Sequence, residues 1–139
     1  MNEKQISSDK APEPVGPYPH ARKVGNLLFL SGVGPRKRGM NEIPGVTLDE
    51  KGNVVTYQIE PQIHSVFENV RLVLEASGLK WENLVDVTVF LTNMNDFAVY
   101  NKVYREYFSN PATQPCRTTV EVNALPTQIA IELKCIATM

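Results

Sequence analysis

Three residues near the C-terminus carry side chains suited to binding and hydrolysing a small acid: Arg117, Thr119 and Glu132. A guanidinium offers paired donors that match a carboxylate, and a glutamate can orient or deprotonate a water. The segment CRTTVEV reads as a β-strand, and strand alternation places Arg117 and Thr119 on one face. We therefore expect Thr119 to add a hydroxyl beside Arg117, with Cys116 turned away into the core.

Arg117 and Glu132 are expected on two neighbouring strands, where they fit two interpretations. One is a small-molecule site, in which Arg117 binds a carboxylate and Glu132 orients or deprotonates a water. The other is a cross-strand ion pair with a structural role only. The spacing by itself does not choose between them.

The composition indicates one globular domain, because 139 residues with 42% hydrophobic side chains suit a single core. A net charge of −1 gives no long-range attraction for a polyanion, so no nucleic-acid partner is expected. No apolar run reaches the roughly 18 residues of a membrane span, and the N-terminus lacks the apolar core of a signal peptide. We expect a soluble, cytoplasmic protein. Its two cysteines, Cys116 and Cys135, favour free thiols, although a disulfide between adjacent strands also fits.

Common catalytic motifs are missing from the sequence. It contains no GxGxxG, P-loop or Gly-x-Ser-x-Gly pattern. His20 and His64 are isolated, which argues against a zinc site. The dipeptide PC supplies only the first cysteine of a zinc-deaminase motif, because Thr119 stands where the second is needed. We expect no metal.

Two amphipathic helices are predicted from apolar residues at steps of three and four. The first ends at Gly78, and the second begins at Asn95 or Asp96. The first has the stripe Ile59, Ile63, Val66, Phe67, Val70, Val73 and Leu74, and the second has Phe97, Tyr100, Val103, Tyr104 and Tyr107.

The strands complete an α+β pattern. Gly25-Asn26 predicts a tight hairpin, and LVDVTVFLT predicts a strand with Val85 among the residues of its buried face. Residues 33–57 read as a long loop with a short strand at 54–57, and residues 1–13 as a frayed segment. The order favours a single domain over residues 1–139, a mixed sheet with two helices packed on one face. The other face is left bare, so it is either solvated or covered by another subunit, and the mixed polar and apolar side chains favour the subunit.

Several separate segments together resemble the RidA/YjgF family of enamine/imine deaminases, once described as translation inhibitors. They are VGPYPHARKVGNLLFLSG, VTVFLTNMNDFAVYNKVYREYF, PCRTTVEVNALP and IELKCIA, which span about residues 12–138. The resemblance implies a chorismate-mutase-like fold and a homotrimer with clefts between subunits, with pairing of trimers left open. It also implies a hydrolase that needs no metal or organic cofactor.

The resemblance assigns roles to individual residues. Arg117 matches the arginine that binds the substrate carboxylate, and Glu132 matches the glutamate that positions the attacking water. Tyr18, of the Gly-Pro-Tyr motif, matches a residue lining the cleft. Two further site positions match Ser31 and Asn95. Many family members carry a cysteine or serine where this chain has Thr119, whose hydroxyl can still hold a water.

Within the family, the chain resembles the 2-aminomuconate deaminases. The long segment SGVGPRKRGMNEIPGVTLDEKGNVV and the ending PTQIAIELKCIAT carry this likeness. It implies hydrolysis of 2-aminomuconate to 4-oxalocrotonate and ammonia in aromatic-compound catabolism. The substrate is a dicarboxylate, so Arg36 or Arg38 is expected to meet its second carboxylate. A solvated charge cluster in the loop is the alternative interpretation of these two residues.

Two other functions stay open. One is a housekeeping deaminase that removes 2-aminoacrylate, and the other is a regulatory or binding trimer without catalysis. The loop favours 2-aminomuconate over 2-aminoacrylate, and the presence of both Arg117 and Glu132 favours an enzyme over a binding protein.

Overall fold

Within residues 4–139, which the computed structural model describes, six strands form one mixed sheet that carries two helices on one face. The sheet contains β1 (Lys4–Ile6), β2 (Ala21–Val24), β3 (Leu27–Leu30), β6 (Leu84–Leu91), β7 (Cys116–Glu121) and β8 (Ile131–Thr138). A separate hairpin contains β4 (Val46–Leu48) and β5 (Val54–Tyr57), and the helices are α1 (Ile59–Ala76) and α2 (Phe97–Tyr107). The sheet order is β1-β2-β3-β8-β6-β7, with β6 and β7 parallel and the other neighbours antiparallel. The predicted α+β class is confirmed.

Helix α1 buries the apolar stripe that its sequence predicts. All seven residues of the stripe are buried, and they pack against the sheet and α2. The helix ends as expected at Gly78, whose φ of 74° lets its amide bond the Glu75 carbonyl at 2.9 Å. Leu79 then donates to the Leu74 carbonyl at 2.9 Å, which closes the last turn.

Helix α2 starts where the sequence predicts, because Asp96 is its N-cap residue. The expected capping bond does not form, since the Asp96 carboxylate instead accepts a 2.8 Å hydrogen bond from the Tyr57 hydroxyl. The short 3-10 turn Met94–Asp96 precedes α2 and has its own cap, the Asn93 side chain, which accepts the amide of Asn95 at 2.9 Å.

A register shift in β6 corrects one strand prediction. Alternation alone places Val85 on the buried face, but the pairing with β8 is irregular between Leu84 and Asp86. Leu84 is consequently buried and Val85 is exposed. Such an irregularity moves a side chain to the opposite face without changing the later part of the strand.

The N-terminal segment and the long loop contain more structure than expected. Residues 1–3 lie outside the described range, but residues 4–6 form β1 against β2. The strand predicted at 54–57 is present as β5, and β4 is its unforeseen partner. Asp49 shapes their turn by accepting the amides of Lys51 and Asn53 at 2.8 and 2.9 Å.

The sheet has two unlike faces. Alternate residues of β8 are buried under the helices, whereas Glu132 and Lys134 point to the opposite face. That second face also exposes Leu27 and Phe29, which alternate with the buried residues of β3. No helix among residues 4–139 is long and apolar enough to cross a membrane.

Candidate active site

The sheet order separates Arg117 from Glu132. Strand β6 lies between β7 and β8, so the expectation that the two residues occupy neighbouring strands is wrong. Arg117 is in register with Val87 of β6, whereas Glu132 is in register with Phe90. Positions an odd number apart on a strand face opposite ways, so the two side chains leave the sheet on opposite faces. A cross-strand ion pair between them is therefore ruled out in a single chain.

Arg117 lies on the helix-covered face, over aromatic rings of α2. Its guanidinium carbon is 4.7 Å from the ring centroid of Tyr104 and 5.6 Å from those of Tyr100 and Phe97. Thr119 shares this face, as predicted. We call Arg117, Thr119 and the three rings of Phe97, Tyr100 and Tyr104 the Arg117 niche. Contacts at these distances are cation–π interactions.

The polar atoms of the niche lack protein partners. No residue within 4–139 accepts a hydrogen bond from Arg117 or pairs with it as an ion, so its contacts are with rings. The hydroxyls of Tyr100, Tyr104 and Thr119 are also buried without a partner. Burial raises the pKa of Tyr104 to about 12 and raises the pKa of Tyr100 further, so both hydroxyls keep their protons. The Arg117 guanidinium and the Thr119 hydroxyl are therefore donors suited to an anion or an ordered water, and the tyrosine rings form the surface under the guanidinium.

Glu132 lies against backbone at the end of β3. A Cβ added to Gly32 would lie 3.0 Å from its carboxyl carbon and 3.1 Å from both oxygens, so a larger residue would push the carboxyl group aside. Glu132 is half-buried, and this burial raises the pKa of its carboxyl. A carboxylate with a raised pKa is a stronger base than an exposed one.

A pocket beside Gly32 contains three more of the predicted site residues, Tyr18, Ser31 and Arg36. The Ser31 hydroxyl donates to the Pro19 carbonyl at 2.6 Å, which fixes the turn that carries Tyr18. The side chain of Tyr18 is exposed. Because Gly32 both lines this pocket and touches the Glu132 carboxylate, we call Tyr18, Ser31, Gly32, Arg36 and Glu132 the Glu132 region.

A segment that the sequence did not indicate walls this pocket. Residues 11–13 line it, and Arg38 holds residues 8–13 by donating to the Ser8 and Ala11 carbonyls and to the Glu13 carboxylate at 2.7–3.0 Å. His20 binds the same segment, accepting the Ser8 amide at 3.0 Å. We call residues 8–13 the strap. Most of its anchors are backbone groups, which carry no sequence signal.

The two loop arginines differ in position. Arg36 lines the pocket and makes one bond to the strap, from its Nη2 to the Glu13 carbonyl at 2.9 Å. Arg38 uses three of its nitrogens on the strap and does not line the pocket. Of the two, Arg36 is the one placed to meet a ligand.

Asn95 and Cys116 lie on the other side of β8, near Arg117. Asn95 is exposed in the 3-10 turn before α2, two residues ahead of Phe97 of the niche. Cys116 is a free, exposed thiol, so the prediction that it belongs to the core is wrong. The reason is that Cys116 shares the exposed face of β7 with Thr118 and Val120, whereas α2 packs on the opposite face, which carries Arg117. Cys135 is buried, which raises its pKa to about 12 and keeps it a thiol.

Known proteins match the chain along nearly its whole length. The family model described as endoribonuclease L-PSP matches residues 8–139. A protein named reactive intermediate deaminase A, chloroplastic, from Arabidopsis thaliana is 40% identical over 96% of this chain and 65% of its own length. A 2-iminobutanoate/2-iminopropanoate deaminase from Dermatophagoides farinae is 40% identical over 94% of this chain and 92% of its own. The crystal structure of E. coli TdcF with bound serine superposes with a TM-score of 0.83 at 32% identity, covering 98% of both chains.

Proposed function

Because the chain belongs to the RidA/YjgF family, we propose that it is a cofactor-independent deaminase that hydrolyses enamines and imines carrying a carboxylate. The observation that carries this proposal is the state of Arg117. Its guanidinium lies on aromatic rings and has no protein acceptor among residues 4–139, so its donors can serve a ligand carboxylate. The names of two relatives, both deaminases, support the same reaction class.

The mechanism follows from the chemistry of imines. An enamine tautomerises to an imine, and water adds to the imine carbon to give a carbinolamine. Arg117 clamps the neighbouring carboxylate, and Glu132 removes a proton from the attacking water and returns one to nitrogen. The carbon–nitrogen bond then breaks, which releases ammonia and a 2-oxo acid. The raised pKa of Glu132 favours both proton transfers near neutral pH.

We propose that one active site takes residues from two copies of the chain. Arg117, Thr119 and Asn95 lie on one side of the strand order, and the Glu132 region lies on the other. Since β7 is an edge strand, its Arg117 niche can approach the Glu132 region of a neighbouring copy. A homotrimer with three such clefts satisfies this arrangement. Thr119 then holds a water or a carboxylate oxygen through its unpartnered hydroxyl.

We further propose 2-aminomuconate, an intermediate of aromatic-compound catabolism, as the preferred substrate. Arg36 supports this proposal because it lines the pocket and uses one nitrogen on the strap, which leaves donors for a second carboxylate. The product is 4-oxalocrotonate. A smaller imine acid such as 2-aminoacrylate fits the same reaction, and the names of the relatives favour small imine acids.

The test is ammonia release from freshly generated 2-aminomuconate and from 2-aminoacrylate. Wild type, Arg117→Ala and Arg36→Ala are compared with Arg71→Ala, a control that removes an exposed arginine paired with Glu68 and Glu75 on α1. We expect Arg117→Ala to lower kcat/KM for both substrates by about 100-fold or more. Arg36→Ala should raise KM for 2-aminomuconate alone.

Each outcome has a definite meaning. Turnover of 2-aminoacrylate with no preference for 2-aminomuconate would support the general deaminase and end the dicarboxylate proposal. Turnover of neither substrate, or equal turnover by Arg117→Ala, would overturn the deaminase proposal itself. Because the matching family model is described as an endoribonuclease, RNA cleavage is measured beside ammonia release.

A further inference from the structure

Three rings of α2 hold the one cation of the niche. Phe97, Tyr100 and Tyr104 recur at steps of three and four, which places them on one face of the helix. We call these three residues the aromatic platform. Arg117 lies over all three rings, nearest to that of Tyr104.

The core holds the platform in position. Tyr100 is completely buried, with its ring 5.9 Å from that of Phe67. The Tyr104 ring stacks on Phe108, with centroids 4.3 Å apart and planes inclined by 29°. Tyr100 and Tyr104 also contact each other, with centroids 5.5 Å apart. The rings are therefore ordered by packing before any ligand arrives.

A platform of rings positions an arginine differently from a carboxylate. A carboxylate partner occupies guanidinium donors and cancels the charge that a substrate anion needs. A ring face attracts the cation and leaves the in-plane N–H groups of the guanidinium available. Arg117 thus keeps both its charge and its donors, which agrees with its lack of a protein acceptor among residues 4–139.

We propose that Tyr104, through its ring and not its hydroxyl, is the positioning residue that aims Arg117 at the substrate carboxylate. This inference rests on the proposed deaminase function and adds a residue to it. Without the ring, the long side chain of Arg117 samples more rotamers, and carboxylate binding weakens. Phe97, at the exposed start of the helix, contributes less because its ring is farther from the guanidinium.

The experiment separates ring, hydroxyl and packing. Tyr104→Phe keeps the ring, Tyr104→Leu removes it, and Phe97→Leu removes a more distant ring at little risk to folding. Tyr107→Leu is the matched control, since Tyr107 is a half-buried aromatic residue of the same helix that bonds His64 and is not among the rings over Arg117. The readouts are kcat and KM for 2-aminoacrylate, and calorimetric binding of pyruvate and of its neutral amide.

We expect Tyr104→Leu to weaken pyruvate binding and raise KM by about 10-fold, with Phe97→Leu weaker in the same direction. Tyr104→Phe should stay within about twofold of wild type, and binding of the amide should not change. Equal loss in Tyr104→Phe would assign the effect to the hydroxyl, and equal loss in Tyr107→Leu would assign it to packing. Either result would overturn the inference.

The Arg117→Ala variant distinguishes the two proposals. If it loses pyruvate binding while Tyr104→Leu and Phe97→Leu bind normally, the positioning role is wrong and the deaminase proposal stands. If Arg117→Ala binds pyruvate as wild type does, the carboxylate clamp is wrong, and the inference fails with it. If Tyr104→Leu does not fold, normal pyruvate binding by Phe97→Leu overturns the inference that rings position Arg117, and Tyr104→Phe still tests the hydroxyl.

Discussion

Aromatic rings hold Arg117 in its niche, whereas the Glu132 carboxylate lies against Gly32, a residue without a side chain. The niche is a cation without a protein acceptor among residues 4–139, supported by side chains from one helix. The Glu132 region combines a half-buried carboxylate with a pocket whose walls are tied by hydrogen bonds to carbonyls. One region can recognise a substrate anion, and the other can move protons.

For the proposed reaction, this difference means that neither region provides both the carboxylate-binding group and the base. An arginine and a glutamate that faced each other would form an ion pair and compete with the substrate. Their placement on opposite faces of the sheet keeps both groups free within one chain. In the proposed site shared by two copies, the substrate would lie between these two charges.

The largest effect is expected from mixing two inactive variants. Arg117→Ala and Glu132→Gln should each be nearly inactive when pure, but co-refolded chains should regain activity. In a closed ring of three with sites between copies, random mixing restores about a quarter of wild-type activity. The measurement is ammonia release against each pure variant refolded in the same way. Absence of recovery would place both residues of a site in one chain.

Glu132→Gln by itself tests the proton-moving region. We expect kcat to fall by about 100-fold, the usual contribution of a general base, with KM less affected. Since burial raises the pKa of Glu132, wild-type activity should fall with acidification at a pH above the ordinary glutamate range. Measuring kcat from pH 4 to 9 gives the pH at which activity falls. A fall at the ordinary pKa of an exposed glutamate would contradict the assignment.

The same substitution should stabilise the fold at neutral pH. A raised folded-state pKa favours the protonated carboxyl, so the stability it contributes is present below the unfolded pKa and lost as pH rises through the folded value. Glu132→Gln stays neutral and avoids this loss. Its Tm should exceed that of wild type at pH 7, and the difference should shrink toward pH 4. Equal Tm values at both pH values would show that Glu132 is well solvated.

Gly32→Ala tests the two regions separately, because it changes the Glu132 region and leaves the Arg117 niche intact. The added Cβ would crowd the Glu132 carboxylate, so we expect kcat/KM to fall by about 10-fold as the general base is displaced. Gly34→Ala is the matched control, because its Cβ would meet only the flexible end of Ile129. Pyruvate binding through Arg117 should survive in both variants. A larger activity loss in the control would show that the loop, not the carboxylate, is responsible.

The smallest effect is expected for the strap. Arg38→Ala removes three hydrogen bonds to residues 8–13 and should lower stability by about 1–3 kcal/mol. Urea unfolding measures this change. KM for 2-aminoacrylate should change little, because Arg38 does not line the pocket. A large rise in KM with unchanged stability would restore Arg38 as a ligand-binding residue.

Local patterns predicted much of the fold because they depend on neighbours in sequence. The stripe of α1, the Gly25-Asn26 hairpin and the shared face of Arg117 and Thr119 follow from periods of 3.6 and 2. The same rules failed at Val85, where a register shift interrupts the period. They also failed at Cys116, because alternation separates the two faces of β7 but does not say which one α2 covers.

The candidate site likewise has features that local sequence predicts and features that depend on contacts between distant segments. The sequence predicted several candidate residues, because side-chain type and local motif are visible without a structure. These residues are Arg117, Glu132, Tyr18 and Ser31. The strap was not predicted, because Arg38 and His20 hold it through bonds to backbone or between distant positions. The roles proposed for these residues stay predictions until the variants are measured.

The sequence by itself determined which residues could act, which face of each strand or helix they share, and the family. Only the tertiary structure decided that β6 lies between β7 and β8, and that Arg117 and Glu132 therefore face opposite ways. The physical reason is how far apart in sequence the interacting residues lie. Periodicity records contacts within one element, whereas strand order is set by packing and crossover connections between segments far apart in the chain.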